Sequence, residues 1–265
     1  MARAPLVRPT DAPPTAHVAI PPGSVAGTFD RLPDASQRPD LPVHVAIIMD
    51  GNRRWARARG VPELEGHAAG VEAIRGLLRH AVRRGIRVLT LYAFSRENWA
   101  RTDAEVVGLF GLLEAAIRSE TAELRAQGVR IRLLGRLDEL PPETRSSIEA
   151  ALAATAGGER LLLNVAFNYA GRTELVDAVR RIVAAGTPAN AIDESTLADA
   201  LYTAGLPDPD LVIRTGGEQR LSNFLIWQSA YAELVGSEAL WPDFGPADLD
   251  AALDEYASRT RRFGR

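Results

Sequence analysis

Residues 43–49 read Val-His-Val-Ala-Ile-Ile-Met, and this apolar run gives way at once to the polar stretch Asp50-Gly51-Asn52-Arg53-Arg54-Trp55. A short, nearly continuous apolar run is typical of a strand that is buried on both faces of a parallel sheet. Ligands of open α/β sheets bind at the carboxyl ends of such strands. The stretch therefore predicts an α/β fold with polar ligand-binding groups directly after its first strand.

The same alternation of short apolar runs and longer amphipathic segments continues along the chain. Strands are predicted at residues 43–49, 86–93, 129–134, 161–167 and 210–213. Helices are predicted at residues 66–84, 103–127, 142–156 and 172–185. Strand–helix–strand alternation predicts a mainly parallel central sheet that is covered by helices on both faces.

The amino-terminal segment differs from the rest in composition. Residues 1–42 contain nine of the 17 prolines and no sustained apolar periodicity. We therefore expect residues 1–41 to form a disordered, proline-rich tail and residues 42–265 to form a single domain. The segment also lacks the charged start and the apolar run of roughly 7–15 residues that mark a secretory signal. We expect a cytoplasmic protein.

Composition excludes several classes of function. The chain has no cysteine, and all 31 of its basic residues are arginine, which excludes disulfides, thiolate nucleophiles, Schiff-base chemistry and the lysine of a Walker-type phosphate loop. The four histidines lack the spacing of a metal-binding helix motif, so any metal would be held by oxygen. The net charge of −3 provides no broad basic field, and we expect no nucleic-acid partner.

Polar clusters follow four of the predicted strands. They lie at residues 50–55, 95–99, 168–169 and 214–218. Because the carboxyl ends of parallel strands meet at one edge of the sheet, we expect these clusters to converge on one site.

Two of these loops have the chemistry of diphosphate binding. Asp50-Gly51-Asn52 precedes a segment that can start a helix, where free N–H groups favour an anion and Mg²⁺ would join the carboxylate to diphosphate oxygens. Residues 214–223 carry two arginines, whose forks match phosphate oxygens. Each loop has a simpler alternative: Asp50 would cap a helix, or Arg214 would pair with Glu218 in a surface turn.

Apolar residues adjoin both loops. Trp55 and Trp99 lie beside them in the sequence, and the predicted helix at 103–127 carries apolar residues on more than one face. These features predict a substrate that is partly apolar and carries a diphosphate at one end. The alternatives are that the tryptophans anchor the core and that the helix is buried between layers.

Together these segments resemble the cis-prenyltransferase family, which includes the undecaprenyl diphosphate synthases. The resemblance extends from about Pro42 to Phe244 and rests on residues 44–56, 66–70, 89–99, 164–169, 208–218, 222–225 and 241–244. It implies a Mg²⁺-dependent prenyltransferase that adds isopentenyl diphosphate to an allylic diphosphate, farnesyl or geranyl diphosphate, and forms each new double bond in the cis configuration. It also implies a homodimer, which the apolar stretch 224–241 favours independently.

The resemblance also implies roles for individual residues. Asp50 and Glu233 would serve the Mg²⁺ site, while Arg214, Arg220 and Ser222 would bind isopentenyl diphosphate. Ser95 and Asn98 would lie near the reacting carbons, with Trp99 beside them. On the allylic diphosphate side the residues would be Gly51, Asn52, Arg54, Trp55, His67 and Arg101. Arg53 would be a further substrate-binding residue. The resemblance does not identify the proton acceptor, and diphosphate itself is one candidate.

Glu63 departs from the family pattern, which commonly has an arginine between Gly60 and His67. A carboxylate there would repel the allylic substrate unless it turns away or pairs with Arg57 or Arg59.

Ala93 is a small residue where a bulky one could close a cavity, which favours a medium- or long-chain product. By the same resemblance, such a product would be a lipid carrier for the cell wall, and its release would involve peripheral contact with the membrane. The alternatives are a short-chain synthase and a non-catalytic partner subunit of the same fold.

Overall fold

The structure is a computed structural model that describes residues 40–260. Almost all of the predicted tail, residues 1–39, lies outside the described residues, as do residues 261–265 of the predicted domain. No helix within residues 40–260 is long and apolar enough to span a bilayer.

Six strands and seven α-helices make up the described part of the chain. The strands are β1 (His44–Ile48), β2 (Val88–Ser95), β3 (Val129–Leu134), β4 (Leu161–Tyr169), β5 (Leu211–Arg214) and β6 (Glu233–Gly236). The helices are α1 (Asn52–Arg59), α2 (Glu63–Arg84), α3 (Asp103–Ala126), α4 (Pro142–Thr155), α5 (Gly171–Ala184), α6 (Glu194–Ala200) and α7 (Pro246–Ser258).

The strands form one sheet in the order β3-β4-β2-β1-β5-β6, and every pair in it is parallel. The predicted α/β fold with a parallel central sheet is therefore confirmed. All five residues of β1 are buried, as expected of a strand with neighbours on both sides. The order places the ends of β2, β1 and β5 side by side, so the loops that follow these three strands meet.

Side chains alternate between the two faces of the sheet. Val45 and Ile47 of β1 pack in a cluster with apolar residues of α2 and α7. Ala46 and Ile48 point to the other face, where Phe224 and Leu225 cover them. On that face the carboxylate of Glu174, on α5, accepts hydrogen bonds from the hydroxyl group of Tyr169 and the backbone N–H of Tyr202.

Three elements were not predicted: α6, β6 and α7, whereas α1 begins at Asn52, in the segment that was expected to be able to start a helix. β6 is a four-residue edge strand with only Val235 buried, so it shows no alternation of apolar and polar residues. α7, in contrast, carries a detectable signal. Its buried residues are Leu249, Ala252, Leu253 and Tyr256, which have helical spacing.

Candidate active site

The loop after β1 turns sharply into α1. Gly51 precedes the helix with φ of 116°, a conformation that favours glycine, and a Cβ atom there would lie 3.0 Å from Leu240. No side chain caps α1. The alternative that Asp50 is a helix cap is therefore wrong, and its carboxylate is directed to other groups.

Arg214, the last residue of β5, contacts this carboxylate. Its Nη2 donates to Oδ2 of Asp50 at 2.8 Å, and its Nη1 donates to Oγ of Ser222 and to the carbonyl oxygen of Arg220, each at 2.6 Å. Arg54 lies 3.3 Å from the other carboxylate oxygen of Asp50. Glu218 pairs with Arg220 instead of Arg214, so the alternative of a simple Arg214–Glu218 turn is also wrong.

The loop around Arg214 has an unusual backbone. Ser222, Asn223 and Leu225 have φ values of 47°, 62° and 43°, in the left-handed region that residues other than glycine rarely occupy. Such strain persists only where surrounding contacts hold it, and it is common at ligand-binding sites. Here the left-handed turn brings Ser222 against Arg214, while Nδ2 of Asn223 donates to Glu97 in the loop after β2 at 2.7 Å.

The loops that follow β1, β2 and β5 enclose a polar pocket of about 400 Å³. Ten predicted site residues line it: Asp50, Gly51, Asn52, Arg53, Arg54, His67, Ser95, Asn98, Arg101 and Arg214. Tyr92 lines it too and was not predicted. Its ring stacks on Phe224 at 4.5 Å, and its position at the carboxyl end of β2 was the signal available in the sequence.

A second, apolar cavity of about 180 Å³ lies between the sheet, α2 and α3. Five residues line both it and the polar pocket: Met49, Asn52, His67, Ala93 and Leu109. Helix α3 faces core and cavity at once, since Val106 and Phe110 are buried while Leu109, Leu113 and Ile117 line the cavity. The alternative of a helix buried between layers is excluded.

The polar pocket combines a charged carboxylate with uncharged and cationic groups. Partial burial raises the pKa of Asp50, but hydrogen bonds and charge from Arg214, with the charge of Arg54, outweigh this effect and lower the net pKa, so Asp50 is ionised at neutral pH. Burial, aided by the positive charge of Arg101, lowers the pKa of His67 to about 4. His67 is therefore a neutral group in an arginine-rich pocket.

Glu63 does not face the pocket as a free carboxylate. It pairs with Nε of Arg53 at 2.6 Å and with Nη2 of Arg57 at 2.7 Å. The hydrogen bonds of these two arginines lower its pKa. The expected pairing with Arg57 is therefore present, and Arg53 takes the place expected for Arg59, which instead pairs with Asp243.

Five of the predicted site residues do not line the pocket in this chain. Arg220 and Ser222 contact Arg214 at its edge, through the carbonyl oxygen and the hydroxyl group. Trp55 donates from Nε1 to Asp243 at 2.8 Å, with Arg59 over its ring. Trp99 is buried against Phe94 and Phe110 and lines neither cavity, because its Nε1 donates to Asn168 inside the core.

Glu233 is the last of these residues. It is the first residue of β6 and pairs with Leu211, whereas Arg214 pairs with Gly236. Glu233 therefore lies three residues, or about 10 Å along the strand, from the position opposite Arg214. It pairs with Arg259 at 2.8 Å. Within one chain, the predicted metal residues Asp50 and Glu233 are therefore not brought together.

The donor set fits a metal ion that is shared with a substrate. Within residues 40–260, no three histidine, cysteine, aspartate or glutamate side chains are grouped so that they could hold a metal ion by themselves. Mg²⁺ typically takes one or two carboxylates and completes its coordination with phosphate oxygens and water. Asp50 supplies an ionised carboxylate, and the buried Oδ1 of Asn52, which lines the same pocket, has no hydrogen-bond donor.

Comparison with known proteins gives consistent matches over this domain. Residues 48–264 match the family model of undecaprenyl diphosphate synthase. The chain is 50% identical to an isoprenyl transferase of Heliobacterium mobile over 228 residues, 84% of this chain and 88% of that protein. It is 49% identical to an isoprenyl transferase of Agrobacterium fabrum over 231 residues, 86% of this chain and 94% of that protein.

A solved structure is similar as well. Lavandulyl diphosphate synthase from Lavandula x intermedia, crystallised with dimethylallyl diphosphate, superposes with a TM-score of 0.83 at 38% identity, and the match covers 86% of this chain and 100% of that one.

Proposed function

Because the chain belongs to the undecaprenyl diphosphate synthase family of prenyltransferases, we propose that it condenses isopentenyl diphosphate with farnesyl or geranyl diphosphate. The product is a medium- or long-chain cis-polyprenyl diphosphate, and the reaction depends on Mg²⁺. In the cell this product would act as a lipid carrier for wall synthesis.

One observation carries this proposal: the arginine-rich polar pocket adjoins an apolar cavity and shares five lining residues with it. The two spaces share Asn52, His67, Ala93 and Leu109, so a ligand at their junction would have its head among arginines and its tail among aliphatic side chains. An allylic diphosphate has this division of charge. The structural relative that was crystallised with dimethylallyl diphosphate, itself an allylic diphosphate, supports the same class of substrate.

The arginines of the polar pocket are suited to binding the leaving group. When the carbon–oxygen bond of the allylic substrate breaks, negative charge accumulates on diphosphate oxygens. Arg53, Arg54 and Arg101 line the pocket with fixed positive charge, and such preorganised groups stabilise developing charge without reorganisation. His67 adds a neutral imidazole that can donate or accept a hydrogen bond without repelling these cations.

Arg214, Arg220 and Ser222 form the binding site for isopentenyl diphosphate in this proposal. Arg214 is buried and already contacts both Asp50 and Ser222, so a second diphosphate bound there would lie beside the first. Holding two substrates in adjacent positions converts a bimolecular encounter into an effectively intramolecular step. Ser95 and Asn98 line the pocket next to Ala93, at the junction where the reacting carbons would meet.

Asp50 would hold Mg²⁺ together with diphosphate oxygens, and Oδ1 of Asn52, which lines the same pocket, is a further oxygen available to the ion. The ion would neutralise part of the negative charge on the departing diphosphate.

Exposed apolar side chains support assembly into a homodimer. Phe224, Leu225 and Trp241 of the stretch 224–241 are buried within one chain, but Tyr231 is 73% exposed and Leu234 lies exposed on the edge strand β6. Edge strands with exposed apolar residues are usually covered by a partner. We expect a dimer in sedimentation experiments at micromolar concentration, and a monomer would contradict this part of the proposal.

The small volume of the cavity favours a second candidate, a synthase that stops after one or a few additions. Incubation with radiolabelled isopentenyl diphosphate and either farnesyl or geranyl diphosphate distinguishes the two. We expect products that have gained several isoprene units and sediment with lipid vesicles, in keeping with peripheral product release. Products that stop after the first addition would support the alternative of a short-chain synthase. No incorporation of the radiolabel would support a non-catalytic subunit.

A further inference from the structure

The apolar cavity is too small for the product that the proposed function requires. Its volume is about 180 Å³, only slightly above the roughly 150 Å³ of an engineered apolar cavity that binds a single benzene molecule. A farnesyl group alone has fifteen carbon atoms. If the proposed function is correct, the walls of this cavity must separate as the chain grows.

The sheet is the wall least able to move. Leu91, Leu163 and Val165 line the cavity from β2 and β4, and both of these strands are hydrogen-bonded to neighbours on each side. Helix α3 is held less tightly. Only Val106, Phe110 and Leu124 among its 24 residues are buried, and its cavity-facing residues Leu109, Leu113 and Ile117 are only partly buried. The boundary between α2 and α3 is therefore the place where the cavity can open.

One ion pair closes this boundary directly over the cavity. Arg75 on α2 donates from Nε and Nη2 to the two carboxylate oxygens of Glu120 on α3, at 2.9 and 2.5 Å, and both residues line the cavity. Two parallel hydrogen bonds of this type are geometrically specific and stronger than neutral ones. The hydrogen bonds from Arg75 lower the pKa of Glu120, so the carboxylate stays charged at neutral pH.

The other contact of the same kind between these helices is weaker. Arg79 and Glu123 lie 3.1 Å apart through one hydrogen bond, and both side chains are more than 40% exposed. Exposed pairs of this kind contribute little to stability. In the Arg75–Glu120 pair Arg75 is 38% exposed, but the carboxylate of Glu120 is only 19% exposed and accepts two hydrogen bonds. The Arg75–Glu120 pair is therefore the main polar contact that a growing chain would have to break to separate α3 from α2.

We propose that the Arg75–Glu120 ion pair determines product length, because it holds α2 and α3 together and limits how far the cavity can expand. The first condensation needs the smallest separation, because its product is the shortest, and the pair allows it. Each further isoprene unit pushes the two helices apart against this pair, and elongation ends when the added unit no longer separates them. Strengthening the link should shorten the product, and removing it should lengthen the product.

The absence of cysteine from the chain allows a direct test. In the double variant Arg75→Cys/Glu120→Cys, a short bismaleimide would join the two helices covalently, while N-ethylmaleimide would cap both thiols without joining them. The matched control is Arg84→Cys/Asp250→Cys, which replaces an ion pair of 3.2 Å between α2 and α7, away from the cavity. Products from farnesyl diphosphate would be resolved by length, with circular dichroism as the check on folding.

We expect the joined Arg75→Cys/Glu120→Cys enzyme to release mainly products of the first one or two additions, and the capped enzyme to make products at least as long as the wild type. The joined control should match the wild type. Identical products from the joined and capped enzymes would overturn the proposal. So would loss of the first condensation in the joined enzyme alone, because the proposal places the limit on the later additions, which need larger separations.

A second variant gives the opposite shift. Arg75→Met keeps a long unbranched side chain but removes the ion pair, and we expect mean product length to rise by at least one isoprene unit, with Asp250→Asn as the unchanged control. An unchanged distribution in Arg75→Met would count against the ion pair as the determinant. These outcomes differ from failure of the proposed function, in which the wild-type enzyme itself would not elongate an allylic diphosphate.

Discussion

Replacement of Asp50 by asparagine separates the catalytic role of this residue from its structural one. The substitution keeps the size of the side chain and one oxygen acceptor, but removes the negative charge. The carboxylate that carries this charge accepts a hydrogen bond from Arg214 at 2.8 Å and lies 3.3 Å from Arg54. Asparagine retains the first contact in neutral form and loses the attraction to both cations.

The structure sets different magnitudes for the two roles. Hydrogen bonds to charged groups contribute about 1.5–3 kcal/mol, but the Asp50 side chain is 30% exposed and asparagine still accepts a hydrogen bond, so we expect the free energy of unfolding to fall by only about 1 kcal/mol. Loss of one preorganised electrostatic contact to a leaving group typically lowers kcat by about 10²–10³-fold. The expected result is therefore a nearly inactive but folded enzyme.

Steady-state rates at several Mg²⁺ concentrations, together with urea unfolding, measure both quantities. Glu63→Gln is the matched control, because it also removes a carboxylate that pairs with two arginines of the same pocket. We expect its kcat to stay within a few-fold of the wild type. If Asp50→Asn retained wild-type rates with an unchanged Mg²⁺ dependence, Asp50 would not be the metal residue and the proposed mechanism would be wrong.

Three further results are expected. Arg220→Gln should raise the KM for isopentenyl diphosphate by about 10–150-fold through loss of a charge-assisted contact, and should change the allylic KM little; the reverse pattern would exchange the two substrate sites. Ala93→Leu, at the junction of pocket and cavity, should shorten the products while leaving the first condensation intact, and an unchanged length distribution would remove Ala93 from the path of the chain. The urea midpoint should fall as the pH falls from 6.5 to 4. Burial lowers the pKa of His44 and His67 to about 4 in the folded state, so over this range the unfolded chain binds protons that the folded chain does not. Each histidine should thereby lower the free energy of unfolding by up to about 3 kcal/mol. His44→Asn should lower stability at pH 7 and flatten this pH dependence, and an equally steep slope would show that other groups cause it.

The fold was predictable where local pattern determines structure. β1 carries a continuous apolar run because it has a neighbour on each side, and that signal is complete in residues 43–49. β6 could not be recognised in the same way, because an edge strand of four residues with one buried side chain has no repeating pattern. Its existence depends on pairing with β5, which is a long-range contact.

The candidate site, like the fold, was predictable where it depends on local sequence pattern and not where it depends on long-range contacts. The loops after β1, β2 and β5 could be assigned to one site because parallel strands present their carboxyl ends at one edge. The position of Glu233 could not be predicted, because it depends on the β5–β6 register. That register pairs Glu233 with Leu211, at the end of β5 opposite to Arg214. Trp99 could not be distinguished from a ligand contact either, because its hydrogen bond to Asn168 links segments 69 residues apart.

The cations of the polar pocket are all guanidinium groups, and this choice has a consequence for the alkaline side of the rate profile. A guanidinium group loses its proton only above about pH 12, whereas a lysine in the same place would begin to titrate near pH 10 or lower. With His67 already neutral above pH 5, the charge contributed by the pocket's cations stays constant from mild acid to strong base. Any decline of activity at high pH must therefore originate in the diphosphates, in metal hydroxide formation or in unfolding.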